Sequence, residues 1–462
     1  MQYRFVLSLL SLLLSVPAAA QNATLEGYLQ QGVTGNLALK EQRFQFEKSQ
    51  LALRQARSLF LPRVGLDASY TLAAGGRTIE FPIGDLLNPV YATLNQMTGQ
   101  TPGEPGAFPT VQNEEIQFLP NHFHDTKIRA SQPLLNWEVI YNREVRKELI
   151  TLQQAEVNVY QRQLVRDIKT AYYQYLQADR VVEIYRTALR LTEENLRVNE
   201  SLLRNGKITK DAVYRAQAER SEVEAQLAEA QANRQAAANY FNFLLNQPLD
   251  TPITADTTGL ARATTAPESN LTGRREELQK LESALRANQV QSRLGRSYRL
   301  PTIGHQLDVG YQGFGYTFSQ EQQYLLYGIS LQWNLFAGTS NRLKVQQNEL
   351  DRVVLENQLQ QTERLLELQG ANARQQLTAA RSTLASARQA ETSAAEYFRL
   401  LNRRYTEGQA SLIEFLDART RLTSAGIRAT ISQYDVLVKG ADLERVTAAY
   451  PLDSLLPTGG LR

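Results

Sequence analysis

Leu366, Ala373, Leu377, Ala380, Leu384, Ala387, Ala394, Phe398, Leu401 and Tyr405 recur at steps of four and three, interrupted only at Gly370 and Glu391. Leu164, Ile168, Ala171, Tyr175, Ala178, Val182, Tyr185, Leu189, Leu196 and Leu203 follow the same rule. A sustained apolar repeat of 3.5 residues winds helices into a left-handed supercoil. The pattern predicts helices over residues 139–204 and 339–405, each roughly 65 residues and near 100 Å long at 1.5 Å per residue. Shorter helices are predicted over 24–58, 210–246, 274–297 and 411–449, about half that length. Two half-length helices stacked end to end would match one long one.

Elsewhere the period changes from 3.5 to two. Ile303, Leu307, Val309 and Tyr311 share one strand face, with His305 as the polar exception. Val64, Leu66, Ala68, Tyr70 and Leu72 do the same earlier in the chain. The clearest strand puts Tyr327, Ile329, Leu331, Trp333 and Leu335 on one side and Gly328, Ser330, Gln332 and Asn334 on the other. Its earlier counterpart is expected near 126–135.

These elements occur twice. Leu39, Arg54, Arg57, Ser58, Leu61 and Pro62 recur at one common offset as Leu278, Arg293, Arg296, Ser297, Leu300 and Pro301. Gly206 and Ala216 recur, at another shared offset, as Gly408 and Ala418. A residue before proline leaves the helical region, so Leu61 and Leu300 end helices. The expected organisation is a signal peptide over 1–20, a first repeat over 21–250, a linker over 251–273, a second repeat over 274–450 and a tail over 451–462. Residues 73–125, with Gly75, Gly76, Pro82, Pro89, Pro102, Pro105 and Pro109, read as a long non-helical loop.

Composition narrows the possibilities. Lys and Arg number 50 against 47 Asp and Glu, a net charge of +3, which leaves no basic footprint for nucleic acid. The chain has no cysteine, so disulfides, thiolate metal sites and cysteine nucleophiles are excluded. Arg4, the apolar run from Phe5 to Val16, Pro17 and Ala18-Ala19-Ala20 form an export signal too short to span a bilayer. Four strands of about ten residues have the length that crosses a membrane as β-structure, yet four cannot close and open edges are not tolerated in lipid. Several chains would have to share one barrel; three would give twelve strands around a wet lumen. A soluble four-stranded sheet with one face against helices fits the same periodicity.

In order, these features resemble the TolC-like outer membrane efflux family over nearly the whole mature length. The resemblance rests on the Leu61-Pro62 and Leu300-Pro301 junctions and on the strand-to-helix segments Ser131-Gln132-Pro133-Leu134-Leu135-Asn136-Trp137 and Leu331-Gln332-Trp333-Asn334-Leu335-Phe336. It also rests on Arg275-Glu276-Glu277-Leu278 and on the tip segment Arg404 to Leu412, continuing to Leu416-Asp417-Ala418. The resemblance implies a mainly α protein with a small β part, assembled as a homotrimer with a 12-stranded outer-membrane barrel and a helical periplasmic tunnel. The implied partners are a periplasmic adaptor, an inner-membrane pump of RND or ABC type, and outer-membrane lipid, which Tyr327, Ile329, Leu331, Trp333 and Leu335 would face. The tips near Gly206 and Gly408 would close the tunnel and meet the adaptor. Glu414 and Asp417 match acids that ring the constriction, and Tyr405, Arg404 and Asp211 fall among the tip contacts. Two family positions differ: a tip arginine falls on Ala410 and a first-repeat aspartate on Ala212.

The expected function is an export duct of a tripartite efflux or type I secretion system, with no cofactor and no enzymatic activity. A structural or adhesive periplasmic coiled coil is the alternative. A secreted enzyme would need a convergent polar site, and none stands out. His122-Phe123-His124-Asp125 resembles a small metal-ligand cluster but reads better as a solvated loop.

Overall fold

The computed structural model describes residues 25–255, 275–336 and 338–455. The signal peptide over 1–20, most of the 251–273 linker and the end of the tail lie outside these residues. The helices are α1 (Leu25–Gly35), α2 (Leu37–Ser58), α3 (Ile83–Thr98), α4 (Trp137–Arg204), α5 (Lys210–Leu244), α6 (Glu276–Arg296), α7 (Ser340–Thr406) and α8 (Leu412–Thr447). The strands are β1 (Arg63–Thr71), β2 (Thr78–Phe81), β3 (Glu114–Gln117), β4 (Phe123–Leu135), β5 (Thr302–Phe314) and β6 (Gln323–Gln332). The two long helices, 68 and 67 residues, fall where the heptads put them.

The chain forms two compact units, each drawing on both repeats. One takes in Lys147–Asn288, Leu350–Arg462 and the N-terminal part of the chain; the other takes in Ala52–Arg146 and Gln289–Glu349. In the helical unit, α7 buries Ala373, Leu377, Ala380, Leu384, Ala387 and Leu401 from the predicted stripe. A larger core gathers Leu29 and Val33 of α1, Leu39 of α2, Ile168 and Tyr172 of α4, Phe241 of α5 and Leu437 of α8. Apolar area removed from water is the main favourable term here, at roughly 1.5–3 kcal/mol per fully buried large side chain.

A buried polar junction joins the two repeats. Arg162 of α4 grips Glu276 in a two-pronged ion pair and donates to the Tyr450 carbonyl at 2.9 Å. Arg275 pairs with Glu277 at 2.8 Å and donates to the Val446 carbonyl. The Arg275-Glu276-Glu277 segment therefore has a structural role. Each charge is satisfied, and removing one partner from such a pair costs about 3–5 kcal/mol.

Four expectations need correction. Residues 24–58 do not form one helix: Asn36 separates α1 from α2. Its side chain accepts from Leu39 N at 3.0 Å and donates to the Leu244 carbonyl at 3.0 Å, so the break is also a splice to α5. Residues 73–125 are not a plain loop. They hold the antiparallel pair β2–β3 and, between those strands, the 16-residue α3, which accommodates Pro89 and stops at Gly99 in a left-handed cap. Trp333 and Leu335 lie past the end of β6, where Trp333 Nε1 donates to the Arg299 carbonyl at 3.0 Å. Finally, the buried line at the far end of α4 is Ala188, Thr192, Asn195 and Asn199, while the predicted Leu189, Leu196 and Leu203 are half-buried beside it.

Candidate channel: a two-faced sheet and two glycine tips

The main sheet runs β1-β4-β5-β6, antiparallel throughout. Its register extends the alternation of single strands across the whole sheet. Leu66, Ile128, Val309 and Leu325 stand in one cross-strand row, as do Ala130, Leu307 and Tyr327. His305, opposite Ile329, shares this apolar face, its ring 5.9 Å from Tyr327. Most of these apolar side chains are exposed: Leu66 at 71%, Leu325 at 70% and Ile329 at 65%. Tyr327, Leu331, Trp333 and Leu335 are exposed as well.

The opposite face is charged. Asp67 stands across from Lys127, and Gly65 across from Arg129, which stands across from Asp308. Arg129 donates to both Asp308 carboxylate oxygens at 2.9 and 2.8 Å and lies 3.6 Å from Asp67. Lys127 pairs with Asp125, which accepts from the Tyr324 hydroxyl at 2.8 Å. One face thus suits hydrocarbon and the other suits water. The outer strands β1 and β6 each have only one neighbour in this sheet among the described residues.

The His122 to Asp125 segment does not converge on one point. His122 meets the Tyr70 hydroxyl at 3.0 Å, and His124 is fully buried with Nε2 at 2.8 Å from the Thr317 carbonyl. Asp125 is on the charged face. Among the described residues no group of three metal-ligating side chains comes together.

Among the described residues of the helical unit, two turns follow the long helices, one after α4 and one after α7. Gly206 has φ +66° and Gly408 φ +75°. In both turns the glycine N–H bonds three residues back, to Leu203 O at 2.9 Å and Tyr405 O at 3.0 Å. The next N–H reaches five back, from Lys207 to Leu202 O and from Gln409 to Arg404 O. This is the paired bonding of a Schellman cap, whose left-handed residue is best served by glycine.

Tyr405 ties the second tip to its surroundings. Its ring stacks on Phe415 of α8 at 4.7 Å, and its hydroxyl lies 3.5 Å from Asn195 Oδ1 of α4. Burial pushes its phenol above the ordinary range, while a hydrogen bond to Asn199 acts the other way. Arg404 Nη2 reaches the Gln409 carbonyl at 3.4 Å. Asp211 sits in the first turn of α5. Glu414 closes a capping box with Ser411: its carboxylate accepts from Ser411 N and Oγ, both at 2.8 Å, and its own N–H donates back to Oγ at 3.3 Å. These bonds, backbone first, with Arg404 nearby, hold the carboxyl below its usual range. Asp417 pairs with Arg421 at 2.7 Å. Both acids are exposed, whereas Phe415, Leu416, Ala418 and Arg419 of the same helix are buried. Arg419 pairs with Glu219 of α5, its Nε and Nη1 find no partner among the described residues, and burial lowers its pKa.

Residues 269–449, nearly all of the second repeat, match the family model for outer membrane efflux proteins. The chain carries an outer membrane efflux protein domain. No curated protein matches the chain. Solved structures match the fold along almost its full length. The Vibrio cholerae outer membrane protein VceC aligns with a TM-score of 0.70 at 17% identity, covering 92% of this chain and 95% of that one. The Campylobacter jejuni CmeC outer membrane channel gives 0.72 at 14%, with 93% and 88% covered. The open state of the Neisseria gonorrhoeae MtrE outer membrane channel gives 0.70 at 15%, with 92% and 89% covered. The TolC-like resemblance read from sequence holds, as does the mainly helical fold with a small β part.

Around the two tips the sequence signals were uneven. The tip glycines announced themselves by recurring. The Ser411–Glu414 cap carried its own signature, a serine three residues before a glutamate at a helix start. The Tyr405–Phe415 stack had no signal beyond two apolar positions.

Proposed function

We propose that this chain is the outer-membrane channel subunit of a tripartite efflux or type I secretion system, a passive duct from the periplasm to the outside. It works as a homotrimer, with a periplasmic adaptor and an inner-membrane pump of RND or ABC type. The observation that carries the reading is the sheet: an exposed apolar face, a charged face, and an open edge on each side. Lipid tolerates no unpaired strand edge, so β1 must find another chain's β6, and three copies close twelve strands around an aqueous lumen. The charged face with Arg129, Asp308 and Lys127 then lines the lumen, and Tyr327, Ile329 and Leu331 face lipid. A periplasmic coiled coil would leave that apolar face in water.

The long helices extend into the periplasm, and the Gly206 and Gly408 tips meet the adaptor. Glu414 and Asp417 line the constriction. Each of these acids has a positive neighbour, the α8 N-terminus for Glu414 and Arg421 for Asp417. The ring is therefore a moderated cation filter.

Two measurements test this. Light scattering on protein extracted from outer membranes in mild detergent should give a trimer; a folded, water-soluble monomer overturns the reading. In planar bilayers, Glu414→Ala with Asp417→Ala should lower cation selectivity and weaken block by divalent cations, and Arg421→Ala should raise selectivity. Unchanged selectivity in both variants removes these acids from the constriction.

A further inference from the structure

Helix α3 is mounted with its polar side inward. Asn88 and Asn95 clamp the returning chain with paired bonds. Asn88 donates to the Val111 carbonyl at 2.8 Å and accepts from Val111 N at 2.9 Å. Asn95, only 3% exposed, donates to the Phe108 carbonyl at 3.0 Å and accepts from Phe108 N at 2.8 Å. On the opposite side Leu86, Val90, Leu94 and Met97 recur every three or four residues and point outward. Met97 is 79% exposed and Leu86 69%. A helix normally turns such a stripe to its own core; here the core side is taken by asparagines and the stripe is left for something else.

The surroundings say what. Residues 73–122, which join β1 to β4, contain the acids Glu80, Asp85, Glu104, Glu114 and Glu115 against one basic residue, Arg77, whose guanidinium lies 5.4 Å from the centre of the Phe118 ring. All five acids are exposed. Asn113 donates to both Glu80, at 3.0 Å, and Asp85, at 3.1 Å, which gathers two of them beside the N-terminal end of the stripe. An acidic surface of this kind is repelled by anionic lipid headgroups, where surface-lying helices carry Lys and Arg. It complements a cation. The stripe spans three turns, about 16 Å, which is the footprint of one amphipathic helix laid alongside.

We propose that α3 is a docking surface for a cationic amphipathic peptide, its apolar ridge on Leu86, Val90, Leu94 and Met97 and its Lys or Arg side chains on the acidic rim. The segment joins β1 to β4 at the end of the sheet away from the strand ends that lead to α2 and α4. Resting on the export-duct reading, that end faces the outside of the cell, so the peptide comes from the exterior or from exported cargo.

The test uses the full-length protein in phosphatidylcholine nanodiscs. The probe is a labelled helical Leu/Lys peptide of roughly 20 residues, long enough to cover the stripe; its Leu/Glu counterpart and empty nanodiscs are controls. Fluorescence anisotropy should show saturable binding of the Leu/Lys peptide that weakens as salt is raised. Val90→Ser with Met97→Ser should weaken it about tenfold, and Glu80→Gln with Glu114→Gln and Glu115→Gln about threefold. Equal binding by wild type, variants and empty nanodiscs overturns the proposal, as does equal binding of the Leu/Glu peptide. Because the chain has no cysteine, Val90→Cys reports the two other occupants. A disulfide between copies would assign the stripe to a second chain, and quenching of a fluorophore there by brominated lipid would assign it to the membrane; either overturns the proposal. Bilayer conductance of the same preparation separates the two readings. A conducting trimer that does not bind peptide loses only this inference. Binding by protein that does not conduct keeps the docking surface and discards its extracellular placement.

Discussion

The two helical tips share a backbone and differ in everything hung on it. The offset that pairs Gly206 with Gly408 also pairs Leu203 with Tyr405, Thr209 with Ser411, Ala212 with Glu414 and Val213 with Phe415. Both turns make the same two reverse bonds at a left-handed glycine. Only the second has an aromatic stack behind the turn and a closed capping box after it. Thr209 makes no side-chain cap at all. Duplication thus preserved the fold-back geometry, while reinforcement went to one copy. The chain reversal and its rigidity are separable properties, and each can be perturbed alone.

The largest separation should come from the aromatic stack. Phe415→Ala removes a ring that is 5% exposed and should loosen the second tip by about 3–5 kcal/mol. Val213→Ala, at the equivalent place, removes a smaller apolar group and should cost about 2 kcal/mol or less. Hydrogen exchange over residues 402–416 and 200–214 reads both. Equal effects would mean that the stack adds nothing beyond ordinary burial.

Valine at either tip glycine should act alike. A Cβ at Gly206 or Gly408 meets nothing within 4 Å, so the penalty is the left-handed backbone alone. That is about 1–2 kcal/mol at each site. Gly408→Val should leave membrane insertion intact and lower export, measured at matched channel abundance; full export would remove that tip from adaptor docking.

Caps give the smallest difference. Ser411→Ala should cost about 1 kcal/mol and Thr209→Ala almost nothing, since only the serine is bonded. Ala212→Glu should install the missing box and bring the first tip closer to the second. The Glu414 carboxyl is held below its ordinary pKa in the folded state. Its contribution is therefore complete above the ordinary carboxylate range and is lost as pH falls through the lowered value. A nitroxide on Gln409→Cys should become more mobile at acid pH, and one on Lys207→Cys should not. Equal mobilisation would place the acid-sensitive group elsewhere.

How far the sequence could be read follows from where periodicity is strong. Long heptads and alternating strands repeat one physical constraint many times, and α4, α7 and the sheet faces were legible for that reason. Helix α3 was not, because Pro82, Pro89 and Gly99 are breakers when read singly. Here Pro82 precedes the helix, Gly99 ends it, and Asn88 and Asn95 hold it to Val111 and Phe108 in the irregular segment that returns to β3. Asn36 escaped notice for a similar reason, since its partner is Leu244. Glu414 and Asp417 were marked by family position alone; the Ser411 partner had its capping-box spacing, while nothing singled out Arg421 among the many charges of the helix. The polar line Thr192, Asn195 and Asn199 hid behind adjacent leucines that fit the heptad better.

The open edges of the four-stranded sheet carry a genetic consequence. If three copies must each lend four strands to one barrel, a subunit whose edge is spoiled damages every assembly that it enters. Proline replacements on β1 or β6 should then be dominant over the wild-type allele. With both alleles expressed equally and mixing at random, only about one assembly in eight would be free of the altered subunit.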